Sequence, residues 1–203
     1  MLESAVTYAR IGQHIRGIPP MTLFRAIACA AGCLFFSIVA SADDIDMKSV
    51  FHEISIGVLD HDTDNLWSGF SRESGADINF EALFSPSYEI LGGAIRPAVG
   101  ASINTSGDTS KLYAGARWRY EFEQGIFVGI GLGAAVHNGD TDLKSVDKKA
   151  LGSKVLFHIP LEAGYRFNEH YSASIYFDHV SNASLANANE GLDTLGFRLG
   201  YRF

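Results

Sequence analysis

His179 and Ser181 stand two residues apart near the end of the chain, and Asp193 follows a polar stretch that contains Asn182, Ser184, Asn189 and Glu190. These residue types support one kind of chemistry. An imidazole can take the proton of a serine hydroxyl while a carboxylate orients the ring and stabilises the imidazolium that forms. Whether the three can meet depends on the backbone that carries them. On a β-strand, residues two apart share a face at a spacing of ~6.6 Å, and a neighbouring strand lies ~4.8 Å away. A His-x-Ser pair on one strand and an acid of matching parity on the next satisfy those distances. Ser184 is a rival nucleophile and Glu190 a rival acid. Asp178 is the acid nearest in sequence, but alternation turns it away from the face of His179.

The other polar clusters are less specific. His52, His61, His137, His158 and His170 fall on separate runs and loops, without a serine and an acid that spacing brings to them. A surface or interior role is the simpler reading for each. Asp60, His61, Asp62 and Asp64 offer ligands for a divalent ion, but their spacing matches no strict motif. A solvated acidic loop accounts for them.

The elements that must position His179 and Ser181 begin after an export signal. Residues 21–42 read MTLFRAIACAAGCLFFSIVASA, with Arg25 ahead of an apolar run and Ala40-Ser41-Ala42 as a small-x-small cleavage site. This is the pattern of a secretory signal peptide, and Met21 competes with Met1 as the true start. The apolar run is short for a membrane span, and its length past Cys33 disfavours a lipoprotein anchor there. The expected organisation is an N-terminal extension and cleaved signal over residues 1–42 and one domain over 43–203. Both cysteines, Cys29 and Cys33, belong to the cleaved part, so the mature chain has no thiol for a disulfide, a zinc site or a nucleophile. The cleaved part holds three of the 16 Lys+Arg and one of the 23 Asp+Glu, leaving 13 basic against 22 acidic residues, a net charge of -9. That balance argues against nucleic acid as a partner.

After Ala42 the dominant signal is period two, the mark of strands with two unlike faces. Eight such runs are legible: Phe51 to Leu59, Ala76 to Phe84, Ile90 to Ile103, Leu112 to Phe122, Ile126 to Val136, Val155 to Tyr165, Tyr171 to Ser181 and Asp193 to Phe203. Pro97 weakens the third. Short connections at 85–88, 123–125 and 167–170 alternate with long polar ones at 60–75, 137–154 and 182–192. One face of each run is almost wholly apolar, while the other carries Arg96, Arg117, Arg119, Glu121, Glu162, Arg166, Arg198 and Arg202. A water-soluble barrel would bury the apolar face; in lipid that face points outward and the charges pair inside. The expected fold is all-β, an eight-stranded antiparallel transmembrane β-barrel of the outer membrane, with short turns toward the periplasm and long loops outside. Eight strands enclose a lumen that side chains fill, so no pore is expected. Trp118, Tyr120, Tyr165, Tyr171, Tyr201 and Phe203 gather at the periplasmic ends as an interfacial girdle.

Carried along the strands, the parity that faces Ile175 and Phe177 outward reaches His179 and Ser181. The parity that faces Leu195 and Phe197 outward reaches Asp193. The three therefore share the lipid-facing side of adjacent strands, near the outer leaflet. Polar groups there are costly unless used or paired, or unless they already lie in the headgroup zone.

The stretch His179-Val180-Ser181-Asn182-Ala183, followed by Asn189-Glu190-Gly191-Leu192-Asp193 and a terminal strand ending in Phe203, resembles the lipid A 3-O-deacylases of Gram-negative outer membranes, the PagL family. The likeness is strongest over Phe177 to Phe203 and is architectural elsewhere. It implies His179 as general base, Ser181 as nucleophile and Asp193 as orienting acid. It also implies that Asn182 or Asn189 donates to the oxyanion of a tetrahedral intermediate. The implied reaction removes the ester-linked 3-hydroxyacyl chain at position 3 of lipid A, with no metal or organic cofactor. The implied partners are lipopolysaccharide and the lipids of the outer membrane; a homodimer is compatible with these features. Asp193 departs from the family's usual glutamate by one methylene, which keeps Glu190 as the alternative acid. The loop also lacks the proline expected near Asn187 to Asn189. Two other readings stand beside this one: a non-enzymatic, adhesin-like small barrel acting through its long loops, and an outer-membrane phospholipase.

Overall fold

The computed structural model describes residues 46–203. The expected signal peptide, the cysteines and the first residues of the expected mature domain lie outside the described residues. A four-residue helix, α1 (Met47–Val50), is capped by Asp46, whose carboxylate accepts from Lys48 N at 3.1 Å. The strands are β1 (Phe51–His61), β2 (Ala76–Phe84), β3 (Tyr88–Ile90), β4 (Gly93–Asn104), β5 (Lys111–Glu121), β6 (Ile126–His137), β7 (Val155–Arg166), β8 (Tyr171–Ser181) and β9 (Leu192–Arg202). Their neighbour pairs are antiparallel. The sheet closes because β1 pairs with β9 and β2 with β4. The result is the eight-stranded barrel that the alternation predicts, with its eight long strands closed into a ring. The short β3 is an added arm that pairs only with β4.

That arm corrects one expected boundary. Ile90 to Ile103 is not a single strand. Leu91 and Gly92 form a two-residue turn with φ values of 53° and 73°, and Tyr88 pairs with Ile95 across it. A leucine in the left-handed region is uncommon, so period-two counting passes over the turn. Pro97 does not interrupt β4, which keeps its register with β5 on both sides of it.

The two faces are as unlike as the sequence implies. Phe197 is 73 % exposed and the adjacent Arg198 is 1 % exposed. The lumen of the half nearer the short turns is filled by ion pairs. Glu53 and Glu162 flank Arg119 at 2.8 Å each, Glu81 joins Arg117 at 2.6 Å and Arg198 at 3.0 Å, and Glu121 joins Arg166 and Arg202 at 2.7 Å each. Around the same end, rings meet in pairs: Tyr120 with Phe122 at 4.7 Å, Tyr165 with Phe167 at 5.6 Å, and Tyr171 with Tyr201 at 5.4 Å. Toward the long loops an apolar cluster sits among further buried polar side chains, including Lys111, His158 and Asp178. Tyr113, Ala135, Leu156, Val180 and Leu192 point inward from five strands and close around Leu151 of the loop after β6. Val180 and Leu192 face each other across β8 and β9, one position from His179 and Asp193. Each fully buried leucine contributes roughly 1.5–3 kcal/mol, so this plug fixes the backbone that carries the candidate site.

Candidate active site

Alternation and register together bring His179 and Asp193 face to face. They are direct cross-strand partners on β8 and β9, and Ser181 is two residues on along β8. The imidazole spans the gap. His179 Nδ1 lies 2.6 Å from Asp193 Oδ1, and Nε2 lies 2.9 Å from Ser181 Oγ. A carboxylate can only accept, so Nδ1 carries the proton; Nε2 is then the acceptor for the serine hydroxyl. In this arrangement a base is already hydrogen-bonded to a potential nucleophile and oriented by an acid.

The neighbours of this trio are not legible from its own strands. His179 is 5 % exposed and Asp193 is fully buried, although their parity faces them away from the lumen. The loop joining β1 to β2 folds over them. Trp67 stacks on the His179 ring with centroids 4.6 Å apart and planes 13° apart. Ser68 donates twice to Asp193 Oδ2, from its backbone N at 2.6 Å and its Oγ at 3.0 Å. Thr63 N donates to the Asp193 carbonyl at 2.9 Å. Gly191, at φ 64°, passes beside the ring; a Cβ there would stand 3.1 Å from His179 Cε1. Trp67, set between Leu66 and Phe70 in a loop otherwise mostly polar, was the sequence signal for this cover.

The loop itself is tied down from inside the barrel. His61, the last residue of β1, places Nδ1 at 2.8 Å from Asp77 and Nε2 at 3.0 Å from Glu73. Glu73 also accepts from Thr109 N and Oγ1 at 3.0 Å each and from Lys149 N at 3.1 Å. Burial pushes the Glu73 carboxyl up, but the hydrogen bonds from His61, Thr109 and Lys149 outweigh it and hold it at about 2. Asp62 pairs with Lys149 at 3.2 Å. The set Asp60, His61, Asp62 and Asp64 therefore does not converge. Among the described residues no cluster of histidines and acids is arranged to hold a metal ion.

The rival residues are placed elsewhere. Glu190 Oε2 accepts from Ala150 N at 2.6 Å and Oε1 pairs with Arg72 at 3.2 Å, so it joins three loops instead of reaching His179. Ser184 Oγ accepts from Asn189 Nδ2 at 3.3 Å. Asp178 turns inward, where it binds Lys111 at 2.5 Å and faces His158 at 3.4 Å. The two asparagines differ. Asn182 donates its amide protons to Leu151 O at 2.8 Å and Ala188 O at 2.6 Å. Asn189 Oδ1 accepts from Asn182 N at 2.9 Å, so its amide sits against the peptide that follows Ser181. Beyond the long bond to Ser184, its Nδ2 has a second proton to give.

Residues 63–202 match the family described as Lipid A 3-O-deacylase (PagL). The chain belongs to the PagL family. The matched span runs from the loop that covers His179 to the penultimate residue of the chain. A search of curated proteins found no match. Among solved structures, the chain is similar to the outer membrane enzyme PagL, with 21% identity and a TM-score of 0.58 over 74% of this chain and 99% of that one. It is also similar to the N-terminal β-barrel domain of Pseudomonas aeruginosa OprF, with 12% identity and a TM-score of 0.48 over 76% and 99%. Neisserial surface protein A gives 11% identity and a TM-score of 0.46 over 75% and 97%. The likeness to the PagL structure makes the barrel one of the outer-membrane type, and PagL membership makes the chain a lipid A deacylase at the level of the family.

Proposed function

We propose that this chain removes the 3-O-linked hydroxyacyl group of lipid A as a serine esterase, working in the outer leaflet with its long loops outside the cell. The observation that carries the reading is the unbroken hydrogen-bonded line from Asp193 through His179 to Ser181. Ser181 Oγ attacks the ester carbonyl carbon and its proton passes to His179 Nε2. Asp193 stays ionised and stabilises the imidazolium. Asn189 Nδ2 is the better placed of the two asparagines to donate to the oxyanion, because the Asn182 amide is already engaged. The tetrahedral species collapses as His179 returns the proton to the departing sugar oxygen, which leaves an acyl-serine. Water, deprotonated by His179, then attacks that ester and frees the 3-hydroxy acid, and Ser181 regains its proton.

The surroundings support this substrate. Ser181 pairs with Phe157 of β7, and below it Phe177 and Leu195 lead down the outer wall to Ile175 and Phe197. An acyl chain lying along that wall would bring its ester to the serine. Every component comes from one chain, so the reaction needs no second copy.

Mass spectrometry of lipid A from cells expressing the parent, compared with cells expressing Ser181→Ala, tests the reading. Loss of one hydroxyacyl chain with the parent alone is the expected result. Unchanged lipid A beside deacylated phospholipid would make the chain a phospholipase. No lipid change at all from a properly inserted barrel would leave the long loops as the seat of activity.

A further inference from the structure

We propose that Trp67 and Ser68 are positioning residues that complete this site, Ser68 by fixing the carboxylate of Asp193 and Trp67 by fixing the ring of His179. The inference rests on the reading of His179, Ser181 and Asp193 given above. It explains how a short acid does this work. The terminal torsion of an aspartate is broad and nearly two-fold, so the carboxylate has little preference of its own for the plane that His179 needs. Two donors from Ser68 converge on Oδ2, at 2.6 and 3.0 Å, and leave Oδ1 directed at Nδ1. They also satisfy an oxygen that would otherwise be buried without a partner, since Asp193 has no exposed surface.

The imidazole has a matching constraint. Its edge is limited by Gly191 and one face is covered by the Trp67 indole, nearly parallel at 13°. The ring cannot tilt toward that face without losing the stack. Trp67 is itself 58 % exposed, an amphipathic ring at the boundary between loop and wall. Neither residue gives or takes a proton or a bond in the reaction. Both act through a neighbour, and the backbone N–H of Ser68 remains as a tether when the hydroxyl is removed.

The test uses the full barrel, refolded in detergent and assayed on lipid A micelles, with heat-modifiable migration as the check on folding. Ser68→Ala is expected to lower kcat roughly 10-fold at unchanged KM, as loss of an interaction that orients a catalytic group does. Ser68→Thr, which keeps the hydroxyl, is expected to restore it, and Trp67→Phe to lose less than Trp67→Ala. Added to Asp193→Ala, Ser68→Ala is expected to cost nothing more, because the group it positions is gone. Parental kcat in Ser68→Ala, no rescue by threonine, or a full additional loss on the Asp193→Ala background would overturn the proposal. Parental activity in Asp193→Ala alone would instead remove the underlying reading of the trio.

Discussion

His61 on β1 and His179 on β8 flank β9 at the same end of the barrel, and both ring nitrogens of each are hydrogen-bonded. Their partners separate them. His61 lies inside, between Glu73 and Asp77, and donating to both is the pattern of an imidazolium locked in a salt bridge. No lone pair is left over, so it can neither take nor give a proton without breaking the network. His179 lies on the outer side, with one carboxylate and one hydroxyl, and keeps a nitrogen that can accept. A serine in place of one carboxylate leaves the imidazole with the accepting nitrogen that the proposed base needs. The two are also linked. The loop that His61 anchors through Glu73 is the loop that delivers Trp67 and Ser68 to the second histidine.

The sharpest way to break this contrast is at the serine. Ser181→Ala, and separately His179→Asn, should lower deacylation by at least about 10³-fold while the barrel keeps its heat-modifiable migration. Release of 3-hydroxy fatty acid from lipid A measures it, and loss of the folded band in either variant would make these residues structural like His61. Next in size is the acid. Asp193→Ala should cost ~10³-fold, whereas Glu190→Ala should stay within ~10-fold, because Glu190 only joins loops. Equal losses in the same assay would move the orienting role to Glu190. His61→Leu should behave in the opposite sense. It leaves two buried carboxylates without their cation and should cost about 3–5 kcal/mol in urea unfolding of the detergent-bound barrel. His179→Asn should cost under ~1 kcal/mol in that experiment.

The smallest effect expected is on acid stability. Glu73 is held at about 2 against an ordinary value of 4.5. Its contribution is therefore fully present above about pH 4.5 and is lost as the pH falls toward 2. The loop should release over that window, reported by Trp67 fluorescence, and Glu73→Gln should flatten the transition. A loop that stays docked at pH 2 in the parent would sever the link between the two histidines.

The parts of this site that period two controls were legible from the residues. Alternation alone set His179, Ser181 and Asp193 on one face and Asp178 on the other, because a strand has no other choice once its apolar side is assigned. The charged lumen followed from the same rule. Trp67 and Ser68 were not legible, since a loop has no period and Ser68 meets Asp193 across 125 residues of sequence. The role of Glu190 was hidden for the same reason, as its partner Arg72 sits in that loop. The Leu91-Gly92 turn escaped because leucine is not a residue that announces a positive φ.

The seam between β1 and β9, where the first and last strands meet, has a consequence for timing. The β8–β9 hairpin holds His179, Ser181 and Asp193 by itself. The covering loop leaves from the far side of the seam. A chain still in transit, with its ends apart, therefore carries an uncovered and loosely oriented trio. Contacts so distant in sequence form late in assembly. On the proposed reading, the trio gains its cover from Trp67 and Ser68 only when the first and last strands meet, so full activity belongs to the closed ring.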